Sequence, residues 1–290
     1  MIKEIEAKVL LTPNRAPDAW FGVRYGMNIY RGCQHQCIYC DSRSECYQIE
    51  DFRDVLVKVN AIELLRRELR SKRARCVIGT GSMSDPYTPA EKEYGLTRQA
   101  LEAIAEYGFG VHITTKSDLV ARDAEILRQI NRFHASIAFT LTTTDDELAR
   151  QLEPGAPLPS QRLEAMRAVA GSGVIVGTMM MPILPFIEDD EANIAAIVEK
   201  THEAGGSFVV GGLGMTLRDR QRAYYYRELD RLFPGLRPQY QRSFGERYGC
   251  PARNARALEA FFNEQCARHG LSTQMVRRSA GAEPAQLPLF

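Results

Sequence analysis

Six near-continuous apolar runs, spaced by stretches of helical period, restrict this chain to a small set of folds. The runs are GMNIYRG (26–32), CVIGTGS (76–82), GVHITT (110–115), ASIAFTLT (135–142), GVIVGTMMM (173–181) and SFVVGGL (207–213). Parallel strands buried on both faces read this way. Between them, 52–69, 96–107, 121–130, 160–170 and 190–203 carry helical patterns. In the first of these, Val55, Val59, Ile62, Leu65 and Leu69 form one stripe with charges opposite, and Ser160 stands as an N-cap. Six β–α units in series predict an α/β fold, an open or closed parallel (β/α)6 barrel that ends near Leu213. Beyond it lie a tyrosine-rich basic helix over 218–233, a Pro/Gly-punctuated loop, and an apolar helix from about 251 to 268. The predicted organisation is a barrel with an N-terminal extension over 1–215, a helical arginine-rich region over 216–271, and a flexible tail over 272–290.

At 290 residues, 44% hydrophobic and 25% charged, the chain has an ordinary globular composition. No apolar run approaches the ~20 residues of a membrane span, and MIKEIEAKVL offers no signal-peptide core. The expectation is a cytoplasmic protein with no membrane partner. The net charge of +1 hides an asymmetry, because 217–279 holds thirteen arginines, six acidic residues and no lysine. Planar guanidinium groups suit phosphate or carboxylate contacts, and a solvated helical surface is the other reading. Tyr224, Tyr225 and Tyr226 add a stacking surface for bases.

Seven cysteines do not make a disulfide framework, and three crowd into eight residues. The segment RGCQHQCIYC (31–40) has the spacing C-x3-C-x2-C just beyond the first predicted strand, at the edge where α/β barrels carry their active sites. Thiolates are the usual ligands of iron–sulfur clusters, and a 4Fe–4S cluster normally takes four. Cys33, Cys37 and Cys40 would leave one iron open. The alternative is a zinc site that recruits His35 or Cys46.

With an aromatic residue before its last cysteine, this loop resembles that of the radical SAM superfamily. The resemblance implies a radical-SAM-type partial barrel and a 4Fe–4S cluster whose open iron binds S-adenosyl-L-methionine (SAM). It also implies SAM cleavage to a 5′-deoxyadenosyl radical, and an electron donor such as a reductase, flavodoxin or ferredoxin. Tyr39 would contact the adenine. Gly81-Ser-Met-Ser-Asp-Pro86, Thr114-Thr-Lys-Ser117 and Leu152-Glu-Pro-Gly155 with Arg162-Leu163 are similar to the spore photoproduct lyase-like branch, whose members are DNA repair lyases. That likeness implies that Lys116 pairs with the SAM carboxylate and that Ser84 contacts SAM. It further implies a hydroxyl from the fourth strand: Ser136, Thr140 or Thr142, of which Thr140 is chosen. The branch's hydrogen-donating cysteine falls on Ser82, whose O–H bond is too strong for the task. Cys250, in Tyr-Gly-Cys-Pro, is the substitute put forward as catalytic, while Cys76 begins a strand and reads as packing.

The chain ends Gln286-Leu-Pro-Leu-Phe290. This pentapeptide resembles the peptide with which bacterial polymerases and repair proteins dock on the DNA sliding clamp, with Gln286 hydrogen bonding and Leu287, Leu289 and Phe290 filling a groove. The sequence thus points to a radical SAM enzyme acting on damaged or modified DNA. The alternatives are a radical SAM enzyme for a small molecule, RNA or peptide, and a non-catalytic metal-binding protein recruited to the replication machinery.

Overall fold

The computed structural model describes residues 1–17, 20–49, 51, 52 and 54–275. Six parallel strands form the central sheet: β1 (Val23–Met27), β2 (Val77–Thr80), β3 (Gly110–Thr115), β4 (Ala135–Thr140), β5 (Ile175–Met180) and β6 (Phe208–Gly211). They lie in chain order, and Leu11–Pro13 adds an antiparallel edge beside β1. The first and last strands do not pair, so the barrel is open.

Successive strand residues face opposite sides, which here means helices on one side and lumen on the other. Ile137 and Phe139 of β4 join Val111, Ile113, Val176 and Val209 in the outer core. Against them pack α1 (Ala61–Arg70), α2 (Leu96–Tyr107), α3 (Ala124–Ile130), α4 (Pro159–Ala170) and α5 (Glu191–Glu203). Ala138, Met179, Phe208 and Val210 face a second cluster. Lower in the barrel Ser136 accepts or donates hydrogen bonds to His112 (2.9 Å) and His134 (3.0 Å), and Phe21 stacks on His112 with centroids 3.8 Å apart.

The C-terminal region is built from α6 (Asp219–Leu232), α7 (Leu236–Phe244) and α8 (Ala255–Arg268). Helix α8 packs on α5, sending Leu258, Phe262 and Cys266 into the outer core. Helices α6 and α7 form a separate cluster with Cys37, Ile38, Tyr39 and Leu184. A short antiparallel pair joins the two regions, Gly214–Thr216 with Gly249–Pro251, and sets Met215 opposite Cys250.

Several sequence expectations are corrected. The stripe over 52–69 is split: Val55–Lys58 is a strand between Ile2–Ile5 and Tyr30–Arg31, and only Ala61–Arg70 is helical. The first barrel strand is Val23–Met27, not 26–32. Leu158, not Ser160, occupies the N-cap of α4, its N–H bonded to the Gln161 side chain (2.8 Å), while Ser160 bonds Asp146. The loop expected after α6 contains α7. The tail does not begin free at Ser272: Ser272 bridges the edge of β6, exchanging hydrogen bonds with Ser207 and Val209, and Met275 is buried in the lumen cluster.

The cysteine loop is fixed by its neighbours' backbones. Ile38 donates its N–H to Leu152 O and Gly155 donates to His35 O, both at 2.9 Å. A Cβ on Gly155 would sit 2.1 Å from Gln34 O. Gly155→Ala should therefore cost about 1–3 kcal/mol, lowering the thermal midpoint by several degrees. At Gly171 the backbone is helical and the nearest atom to an added Cβ is 3.4 Å away, so Gly171→Ala should be neutral or slightly stabilising. Equal melting shifts for the two variants would contradict this account of the loop.

Candidate active site

A cavity of about 640 Å³ opens at the C-terminal ends of the strands. It is lined by Cys33, Cys37 and Cys40 from the loop after β1, by Ser82 and Asp85 after β2, by Lys116 after β3 and by Thr140 at the end of β4. Met215 and Cys250 close it from the C-terminal region. Residues far apart in sequence, among them all three cysteines, Tyr39, Lys116, Thr140 and Cys250, thus share one space.

Burial pushes the thiols of Cys37 and Cys40 up against the pull of Lys116, reinforced by Glu153 and the other two thiols at Cys37 and by Cys33 at Cys40. At Cys33 burial acts the same way but is outweighed by the charge and hydrogen bonding of His35, which draw the thiol below its ordinary value. His35 is enclosed, its Nδ1 3.4 Å from Asp85 Oδ2. Burial opposes its charge, yet Cys33 and Asp85 push it up to about 10.

Asp85 does more than begin a turn. Its carboxylate accepts hydrogen bonds from Thr115 Oγ1 (2.7 Å), Lys116 N (2.7 Å) and Tyr87 N (2.9 Å). Burial works against ionisation, but His35 and these donors hold it at about 2. The ends of β2 and β3 are thereby tied to the cysteine loop. Gly81 permits this closeness, since a Cβ there, at φ +102°, would collide with Thr114 O.

On the other side stands Glu153, almost wholly buried. It accepts hydrogen bonds from Tyr39 Oη and from Arg162, and Lys116 Nζ lies 3.8 Å away. Arg162 also donates to Thr140 O (2.9 Å) and Pro157 O (2.8 Å). Burial raises the carboxyl group, but Arg162, Lys116 and the two hydrogen bonds overcome it and keep Glu153 ionised. Lys116 is held above the usual lysine value, since Cys37 and Glu153 outweigh the effect of burial. The sequence singled out Leu152-Glu-Pro-Gly155 and Arg162 without assigning them a task; the structure gives them the bracing of the loop.

The geometry also separates residues that the sequence grouped. Ser84 is buried, its Oγ makes no hydrogen bond and it does not line the cavity; Ser82, two residues earlier, does. Cys46 lies outside the cavity with Sγ 3.1 Å from Ser44 Oγ. Tyr225 and Tyr226 are buried in the α6–α7 cluster, so only Tyr224 remains partly accessible. Several arginines of 217–275 are engaged with the protein itself, while Arg227, Arg231, Arg242, Arg247, Arg253, Arg256 and Arg268 are exposed. Arg222 bonds the carbonyls of Leu217, Gly245 and Arg247, Arg253 pairs with Asp189, and Arg218 pairs with Asp41. The terminal residues Gln286, Leu287, Leu289 and Phe290 lie outside the described residues.

The donor set suits a cluster. Cysteine thiolates are the ligands of iron–sulfur centres, and a bound cation removes the charge penalty that burial places on Cys37 and Cys40. A single zinc would draw its ligands to about 2.3 Å from one point. Among the described residues, no three His, Cys, Asp or Glu side chains gather around one such point.

Comparison with known proteins decides the family. The Radical SAM superfamily profile matches residues 27–198. The chain belongs to the radical SAM superfamily. Its cofactors are those of the family, a 4Fe–4S cluster and SAM. The uncharacterized protein Rv2578c of Mycobacterium tuberculosis is 32% identical over 258 residues, 81% of this chain and 75% of that protein. MJ0683 of Methanocaldococcus jannaschii, also uncharacterized, is 31% identical over 193 residues, 66% and 70% of the two chains. Spore photoproduct lyase complexed with dinucleoside spore photoproduct has the same fold, with a TM-score of 0.71 at 16% identity over 93% of this chain and 81% of that one. No helix among the described residues is long and apolar enough to cross a membrane.

Removing Glu153 would leave the buried Arg162 charge unpaired. Glu153→Ala should lose about 3–5 kcal/mol of stability, and Glu153→Gln, which keeps an acceptor, distinctly less. Urea unfolding measures both, and an Ala variant as stable as wild type would show that the pair does not hold the loop.

Proposed function

We propose that this radical SAM enzyme acts on damaged or modified DNA, in the reducing cytoplasm. The observation that carries the reading is the single cavity in which the three cysteines, Lys116 and Thr140 meet Met215 and Cys250. It leaves a wall of the C-terminal region facing the substrate side. At about 640 Å³ it lies in the range of small-molecule and cofactor sites. Further support is that the lyase sharing this fold is described with bound AdoMet and dinucleoside spore photoproduct. The arginine content of the C-terminal region lends some support: Arg218, Arg220 and Arg222 fasten the protein to itself, while seven others are exposed.

In this reading Cys33, Cys37 and Cys40 hold the cluster, and Lys116 presents its ammonium to the SAM carboxylate. Together the bound cofactors supply reductive cleavage of a sulfonium and abstraction of a hydrogen atom. Thr140 offers a hydroxyl at the cavity wall. Tyr39 contributes its ring, since its hydroxyl is committed to Glu153 and its carbonyl to Gln221 Nε2 (3.1 Å). Ser84, expected from the resemblance to contact SAM, is replaced in this role by Ser82 on the cavity surface. Cys250 returns the hydrogen atom to the substrate. Burial pushes its thiol up to about 11 against the pull of Arg222 and Arg247, so at neutral pH it retains the S–H bond that a hydrogen donor needs. Docking of Gln286, Leu287, Leu289 and Phe290 on the sliding clamp belongs to the same proposal and is supported by the sequence motif alone.

Anaerobic reconstitution with iron, sulfide, SAM and dithionite tests the reading. Wild type should bind iron and release 5′-deoxyadenosine, and Cys37→Ala should fall to background in both. With ultraviolet-irradiated oligonucleotides, Cys250→Ala should still cleave SAM but yield less repaired DNA. Vigorous 5′-deoxyadenosine release with every DNA substrate left unaltered would redirect the enzyme to another substrate class.

A further inference from the structure

We propose that a groove on the outer side of the cysteine loop, floored by Arg43 and walled by Arg220, Tyr224 and Arg227, receives a small acidic protein that delivers single low-potential electrons. The inference rests on the cofactor assignment above and adds to it the place where reducing equivalents enter.

The groove measures about 680 Å³ and is formed by the cysteine loop, the segment around Phe52 and one face of α6. It shares no lining residue with the catalytic cavity, so a protein seated there leaves the substrate route open. Its floor lies one contact from a cluster ligand: Arg43 Nε donates to Cys37 O (3.2 Å) and Nη2 donates to Gln36 Oε1 (3.1 Å).

Arg43 is an unusual floor. Its side chain is 7% exposed, and its guanidinium carbon sits 3.7 Å from the Tyr224 ring centroid and 4.5 Å from that of Phe52. Among the described residues, no carboxylate pairs with it directly, and Glu228 acts on it only from a distance. A buried cation held only by neutral partners is costly unless opposite charge is supplied. The thiolate-bound centre supplies it from the inside, and an acidic partner would supply it from the groove.

The walls repeat this charge. Arg220 donates to the carbonyls of Arg43 and Ile49, neutral acceptors that leave its charge uncompensated. Arg227 is largely exposed, its nearest carboxylate Glu228 at 3.8 Å. Among the described lining residues Asp51 is the one acid, against three arginines. Such a surface accelerates encounter with an acidic protein and selects its orientation.

A nucleic acid fits less well. Base stacking needs an open aromatic face. Phe52 is buried, and the Tyr224 ring already carries Arg43 and, at 4.9 Å, Arg227. In the transfer itself one electron leaves the donor's metal centre, which is oxidised by one unit, and enters the cluster, which is reduced by one. No bond or proton changes on the groove residues.

The test uses the reconstituted full chain, with reduced acidic 2Fe–2S ferredoxin as the probe and dithionite as the small reductant. Ala223→Glu combined with Arg227→Glu reverses the groove's charge at two exposed positions outside the catalytic machinery. Stopped-flow absorbance and electron paramagnetic resonance follow cluster reduction. Wild type should be reduced by ferredoxin at a rate that falls steeply with added salt. In the variant the low-salt rate should drop about tenfold or more and lose that dependence. Dithionite should reduce both alike. Equal ferredoxin rates for the two proteins would overturn the proposal, as would slower reduction of the variant by dithionite as well, which would place the damage in the loop itself. Weakened DNA binding with unchanged ferredoxin rates would overturn it in favour of a nucleic-acid surface. A wild-type chain with no dithionite-reducible cluster would remove the cofactor assignment, a failure that the dithionite arm reports separately.

Discussion

The buried carboxylate of Glu153 is the anchor on which the site depends. An isolated charge at this depth would be neutralised or excluded. Here it is surrounded by Arg162, Lys116 and the Tyr39 hydroxyl, each from a different part of the chain. Arg162 rises from α4 and reaches the end of β4 through Thr140 O. Lys116 comes from the end of β3, and Tyr39 belongs to the cysteine loop. One ionised group therefore fixes two strand ends and the loop relative to one another. Asp85 performs the matching task across the site, tying the ends of β2 and β3 to His35. Between these two carboxylates the loop has little freedom, so Cys33, Cys37 and Cys40 are positioned by the protein before any cofactor is bound.

The C-terminal region continues the same work with hydrogen bonds to backbone. The first turn of α6 faces the loop: Gln221 holds the carbonyls of Tyr39 and Thr216, Arg220 holds those of Arg43 and Ile49, and Arg218 meets Asp41. A guanidinium group carries several donors in a rigid fork, which suits a loop whose carbonyls lack regular partners. This accounts for Arg218 and Arg220, while seven other arginines of the region are exposed. That turn is a strap over the cluster loop more than an arm extended toward a polyanion.

Much of this was legible in the chain, and the exceptions have physical causes. The buried parallel strands announced themselves because both faces are apolar, and the cysteine loop because its ligand spacing is distinctive. Lys116, Thr140 and Cys250 were singled out from motif and position, and all three line one cavity. The segment 52–69 misled because β-branched Val55, which packs in a strand with Val57, falls at helical spacing with Val59, Ile62 and Leu65. Helix α7 was read as loop because of Gly235 and Pro238, yet Pro238 is its third residue, inside the first turn, where a missing N–H breaks no helical bond. Charge counting could not distinguish arginines that grip carbonyls from arginines that await phosphate. Ser84 was taken from the Ser-Asp match of the resemblance, and a motif match in an irregular loop carries no periodicity to tell which side chain lines the cavity; Ser82 lines it and Ser84 does not.

The distribution of charge around the loop follows one logic. On the cavity side, Lys116 and His35 stand close to the thiols, and each is backed by a buried carboxylate, Glu153 or Asp85. On the outer side Arg43 touches the Cys37 carbonyl and, among the described residues, has no carboxylate paired directly with it. A cation whose carboxylate sits behind it contributes a largely cancelled field at a distance, while an unbacked one contributes its full charge. The inner pairs therefore shape the site at short range, and the outer arginine sets the longer-range potential that the metal centre and an approaching protein experience. That asymmetry separates the face that handles substrate from the face that faces a charged partner, and it arises from where the chain placed Asp85 and Glu153.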